Sequence, residues 1–347
     1  LTPRTKKILA VGGAVVAVLA ISGVVLAVTG GGDDKKQAAP TTTSTTIPPT
    51  TTKPPPIAPL TGLVDPSGAS LTRPAMSVKV ENTPDARPQA GIDQADVVYE
   101  EVVEGNITRF VTIFNSQIPD TIGPVRSVRQ QDPDIVWPIG GIFAYSGGTQ
   151  DNVDLINAAP VNAVDETAGK PNGAMVRNAP GQPPRDAPHN LYAIGPKLLD
   201  LGGNPKPPPP LFQYLPATAP PAVGTPVQSM RIGFVQGYDP TYTWDAASHT
   251  WKRSQSGAPF TVVGGAQVAP ANVVVQFTNY DGVSNAQTVG QGDAWIFSDG
   301  VLRKGTWVRP DKTQPARYVD AAGQPILLRP GSTWVELLPV GAPVDVS

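Results

Sequence analysis

Between Ala95 and Phe114 the apolar residues crowd into two runs, Val97–Val103 and Ile107–Phe114, parted by Glu104-Gly105-Asn106. Both runs are rich in β-branched and aromatic residues, and a Gly-Asn pair between such runs predicts a hairpin. With a two-residue loop, Glu100 and Arg109 become diagonal neighbours; with a three-residue loop, Glu101 stands directly opposite Arg109. Either register sets a carboxylate beside Arg109 on a face shared with Val111 and Ile113. Two readings follow. One is an ion pair that fixes the hairpin register; the other is the wall of a site to which the nearby Arg126 and Arg129 also belong.

The same patterning continues along the chain. Residues 76–80 read as a short strand, followed by a proline-broken loop from Asn82 to Pro88. Asp132-Pro133 opens a short helix through Trp137, which Pro138 ends. Residues 142–145 read as a buried strand, 151–158 as a helix, 161–164 as another strand and 194–201 as a further helix. From Ser229 onward the chain turns to short strands at regular spacing, with Asp299-Gly300 as a second hairpin signal. The fold class expected is α+β: a mixed α/β N-terminal domain, then a mostly antiparallel β C-terminal domain. The boundaries expected are 59–201 and 229–347, joined by a Pro-rich crossover linker at 202–228.

The N-terminus reads differently. Arg4, Lys6 and Lys7 form a basic stub at 1–7, followed by an uncharged stretch at 8–29. A helix of that length is about 33 Å, enough for a hydrocarbon core of about 30 Å. A single-pass anchor in the cell membrane is expected, N-terminus cytoplasmic and bulk extracytoplasmic; a cleaved signal peptide is the alternative. Residues 30–58 are Thr- and Pro-rich low-complexity sequence, read as a tether.

Composition narrows the chemistry. With no Cys, thiol catalysis, disulfides and acylation of an N-terminal Cys are excluded. With two His, no metal site is expected, and nothing in the sequence calls for a cofactor. A net charge of −2 argues against nucleic acid as a partner. What remains are polar clusters. Arg126 and Arg129 share a face if helical and point apart if extended. Gly147, Gly148 and Thr149 lie at a strand-to-helix junction, where glycines and free N–H groups suit an anion and Thr149 suits a cap. Arg185, His189 and Asn190 fall in a dense polar stretch, where Asp186 is spaced to meet His189. Glu100, Glu101 and His189 are the candidate acid–base groups. Trp295, Trp307 and Trp334 read as core.

Several blocks carry a resemblance: Asn82-Thr83-Pro84-Asp85-Ala86-Arg87-Pro88-Gln89, Ile107-Thr108-Arg109-Phe110, 123–129, Ala187-Pro188-His189-Asn190-Leu191-Tyr192 and 328–334. Over roughly 59–339 the chain resembles the YerB-like lipoproteins, a bacterial envelope family of unknown function. The resemblance implies two extracytoplasmic domains and supplies no reaction; the missing Cys departs from a lipoprotein pattern. The expected function is a tethered binding or scaffold protein, meeting an anionic cell-envelope component or a cell-wall protein through its arginines. The alternative is an envelope hydrolase or transferase acting on a glycan or phosphate ester.

Overall fold

The computed structural model describes residues 54–202 and 206–347. The stub at 1–7, the apolar span at 8–29 and the tether up to residue 53 lie outside the described residues. Five strands come from the first half: β1 (Met76–Glu81), β2 (Val97–Val103), β3 (Ile107–Phe114), β4 (Ile142–Ala144) and β5 (Asn162–Val164). All residues of β1, β2 and β3 are buried except the half-buried Tyr99 and Ile107. Both faces of these strands are therefore covered, which is why their sequences read as continuous apolar runs.

The strands belong to one mixed eleven-stranded sheet. β2 pairs with β3 antiparallel, β3 with β1 antiparallel, and β4 and β5 add on in parallel. On its other side β2 pairs in parallel with Thr333–Pro339, which pairs in turn with Asn272–Thr278. Gly290–Ser298, Val301–Arg309 and Arg317–Val319 continue the sheet outward. The stretches read from sequence as separate units thus share one sheet.

A second, five-stranded sheet includes Pro240–Asp245 and Thr250–Gln255. It packs through Tyr242, Trp251 and Phe260 onto a cluster with Val78, Val80, Val98, Phe110 and Trp334. Phe110 meets Phe260 and Trp334 edge to face. Each large apolar side chain so removed from water contributes about 1.5–3 kcal/mol. The opposite face of the large sheet buries Val97, Val111 and Ile113 with Val128, Ile135 and Val136. Trp307 and Trp334 are core as expected, whereas Trp295 is half-buried with the Lys304 ammonium 3.7 Å from its ring centre.

The fold is β-rich, which corrects the expectation of an α/β N-terminal domain. The described α-helices are α1 (Asp132–Val136), α2 (Gln150–Asn157), α3 (Glu166–Gly169) and α4 (Gly195–Leu199), none longer than eight residues. They are turns at the ends of strands rather than a layer. The C-terminal half is mainly antiparallel, with its parallel pairings made by Thr333–Pro339.

Candidate functional site

The hairpin register sets the site. Gly105 and Asn106 both take positive φ, 82° and 56°, and the last pair is Val103 with Ile107, so the loop has three residues. Glu101 therefore stands opposite Arg109, and Arg109 stands opposite Glu81 of β1. Side chains alternate along a strand, so Glu81, Arg109 and Glu101 form a row on one face while Glu100 points to the other.

The segment after Pro124 runs along the end of this row. Arg126 N donates to Lys79 O at 2.9 Å, and Glu81 N donates to Pro124 O at 3.0 Å. Neither arginine of the segment lies in a helix, yet both flank Arg109. Arg126 Nε lies 3.3 Å from a carboxylate oxygen of the fully buried Glu81, and Arg129 Nε donates to Glu104 at 2.5 Å. Between them the Arg109 guanidinium, 5% exposed, donates to the Ser127 carbonyl at 3.3 Å while its Nε has no acceptor. Burial, reinforced by the charges of Arg129 and Arg126, pulls the Arg109 guanidinium down to about 10. Three cations thus converge, and the described carboxylates in contact with them, Glu81 and Glu104, reach only the outer two.

His189 joins the same cluster through Glu81. Its Nδ1 is 3.0 Å from both carboxylate oxygens of Glu81, which also accepts from the Thr83 hydroxyl at 2.7 Å. The anticipated partner, Asp186, instead accepts the His189 backbone N–H on its main-chain carbonyl at 2.9 Å. Glu81 is the residue that sequence reasoning missed. It closes the strand read at 76–80, and its partners lie far along the chain, so only its register opposite Arg109 signals it.

The other candidates have other duties. Gly147 presents its carbonyl, not an N–H, to Val128 N at 3.0 Å, and Ser146 N donates to Arg126 O at 2.9 Å. That loop steadies the arginine segment. Gly148 has no room for a side chain, since a Cβ there would come within 2.8 Å of Val128. Thr149 caps α2 by accepting from Asn152 N. Arg185 ties the Tyr192 hydroxyl to the Pro88 carbonyl, and the buried Asn190 accepts from Arg177 at 2.8 Å. Glu100 and Glu101 are both fully buried. Glu100 accepts from the Thr108 hydroxyl at 2.6 Å and pairs with Arg253 at 2.8 Å, while Glu101 meets Lys79. The His189 imidazole is paired with Glu81 rather than with either of them.

Two domain descriptions match this chain: the N-terminal domain of a protein family of unknown function (DUF3048) over residues 60–204, and its C-terminal domain over 230–335. The chain is also similar to "Putative lipoprotein YerB" of Bacillus subtilis, 29% identical over 306 residues, covering 81% of this chain and 86% of that one. The chain belongs to the YerB-like family. The crystal structure of the YerB protein from Bacillus subtilis has the same fold, with a TM-score of 0.70 at 24% identity over 83% of this chain and 99% of that one. The YerB comparison corrects the expected localisation. YerB bears a lipoprotein's name, in conflict with a single-pass protein whose N-terminus is cytoplasmic, and among the described residues no helix is long and apolar enough to cross a membrane.

Proposed function

We propose that this YerB-like protein is a binding protein of the bacterial cell envelope that takes an anionic group of a wall component, or of a cell-wall protein, at Arg109, Arg126 and Arg129. The single observation that carries this reading is Arg109, a guanidinium nearly closed off from water with one neutral acceptor and two cationic neighbours. A buried charge that no described carboxylate touches is costly, with Glu81 and Glu104 acting on it only from a distance, and an anion seated between the three arginines would lower that cost. Planar guanidinium groups suit phosphate and carboxylate oxygens in particular. Equilibrium binding of the purified protein to solubilised wall fragments tests the reading. Arg126→Ala and Arg129→Ala each weaken binding; unchanged affinity in both rules this site out.

A second reading, a hydrolase or transferase acting on an envelope glycan or phosphate ester, is favoured by the Glu81–His189 pair. A carboxylate on Nδ1 fixes the tautomer that leaves Nε2 as a base, and the arginines beside it would stabilise developing negative charge. Release of product from wall fragments, lost in His189→Gln, distinguishes turnover from binding alone.

A further inference from the structure

Beneath the arginines lies a second cluster that anion binding does not use. Lys79, Glu101 and Asp132 are each 0% exposed. Lys79 Nζ is 2.6 Å from Asp132 Oδ1 and in direct contact with Glu101 Oε1. Lys79 comes from β1 opposite Val111, and Glu101 from β2. Asp132 is held at the start of α1, where its other oxygen accepts the Arg129 N–H at 2.7 Å. Val97, Val111, Val128, Ile135 and Val136 form the apolar cluster on this face.

One ammonium here faces two carboxyl groups, one more than charge balance needs. Burial and the neighbouring Asp132 raise Glu101 to about 8, so it carries a proton at neutral pH. The three groups thus present an amine, a carboxyl carbon within reach of it, and a carboxylic acid touching the amine. The backbone N–H on Asp132 Oδ2 is placed to stabilise charge that develops on that oxygen.

We propose that Lys79 and Asp132 condense into an intramolecular isopeptide bond, with Glu101 shuttling the proton. The Lys79 ammonium first passes a proton to the Asp132 carboxylate, giving a neutral amine and a neutral acid. Nζ then attacks Cγ of Asp132 and forms the C–N bond. Glu101 accepts a proton from the nitrogen and delivers its own to the departing hydroxyl, so the C–O bond breaks and one water leaves. The products are a secondary amide and Glu101 in its starting protonation state, with no change of oxidation level. Enclosure supplies the driving conditions: the reacting groups are held in contact, and water that would reverse the step is excluded. The new bond joins β1 to α1 and encloses the hairpin and the arginine segment in a covalent loop.

The mass of the protein decides the matter. The purified full chain is expected to weigh one water less than its sequence dictates, and digestion should yield a branched peptide joining Lys79 to Asp132. Lys79→Met restores the full mass. Glu101→Gln, which keeps the shape but cannot shuttle the proton, leaves the bond unformed in a folded chain. A wild-type chain of full mass overturns the proposal, as does a branch ending on Glu101. Bond formation undiminished in Glu101→Gln overturns the role given to that residue.

Discussion

Arg109 and Glu101 stand directly opposite each other across the hairpin, yet among the described residues no ion pair joins them. Lys79 takes Glu101 from the neighbouring strand, and Arg109 is left with a backbone carbonyl. That division leaves one cation of the row without a described carboxylate in contact, offset only at a distance by Glu81 and Glu104. Replacing Arg109 by Met, similar in length and free of charge, is expected to stabilise the fold by about 1–3 kcal/mol. The same change should weaken anion binding tenfold or more, because two or more charge-assisted bonds are lost. A urea midpoint that rises while affinity falls confirms the trade; a midpoint that falls shows Arg109 to be structural.

Anion affinity should also carry the titration of Arg109. Held at about 10 in the free protein by burial, Arg129 and Arg126, this guanidinium gains a counter-charge when the anion binds and is pulled back up. The bound state then keeps its proton to higher pH than the free state. Affinity for inorganic sulfate, whose charge is fixed across this range, is therefore level below that value and falls as pH rises through about 10, approaching tenfold per unit. Calorimetric titrations across this window check it. A curve unaltered in Arg109→Met would assign the fall to another group.

Another buried cation, Arg253, has the opposite character. Arg253 is fully buried, 2.8 Å from Glu100 and 3.4 Å from Glu336, with its guanidinium within 6 Å of the rings of Phe110, Tyr242, Phe260 and Trp334. It links the five-stranded sheet to the large one. Arg253→Met leaves the buried Glu100 without its cation and should destabilise the protein by about 3–5 kcal/mol in urea melts. Anion binding at Arg126 and Arg129 should persist below the melt.

Glu336 gives the stability a pH slope. Burial, together with the charge of Glu100, raises it well above its ordinary value of 4.5, and the Tyr242 hydroxyl donates to it. The sign follows from proton counting. Above 4.5 the unfolded chain releases this proton while the native state keeps it, so stability falls as pH climbs from that value toward the raised one, by up to about 1.4 kcal/mol per unit. Glu336→Gln, a permanently neutral replacement, should reduce the slope above pH 4.5, leaving the part that Glu101 contributes. An identical slope in the variant would place the titration elsewhere.

The hairpin was legible in the sequence because its signals are local: two β-rich runs and a Gly-Asn turn whose loop length alone was open. The arginine segment was legible as a cluster but not as a geometry, since three-residue spacing predicts a shared face only for a helix. The segment is not helical here, and Arg126 and Arg129 flank Arg109 because Arg109 on β3 lies between Glu81 of β1 and Glu104 of the hairpin loop. Glu81, Lys79 and Arg253 were not legible as chemistry. Their partners are set by strand neighbours distant in sequence, and a lone charge inside an apolar run carries no mark of what it will meet. Helical signals at 132–137 and 151–158 were real, but they gave turns of the chain rather than a layer, because the sheet faces are covered largely by other strands and loops.

Thr333–Pro339 lies between β2 and Asn272–Thr278. During synthesis β2 and β3 emerge early, whereas the strand that seals the far side of β2 arrives near the end of the chain. Until then β2 presents an open row of amides and carbonyls to any other extended peptide. A nascent molecule of this protein is thus at risk of mispairing until Thr333–Pro339 has been made, and truncation before residue 333 would leave that hazard permanent.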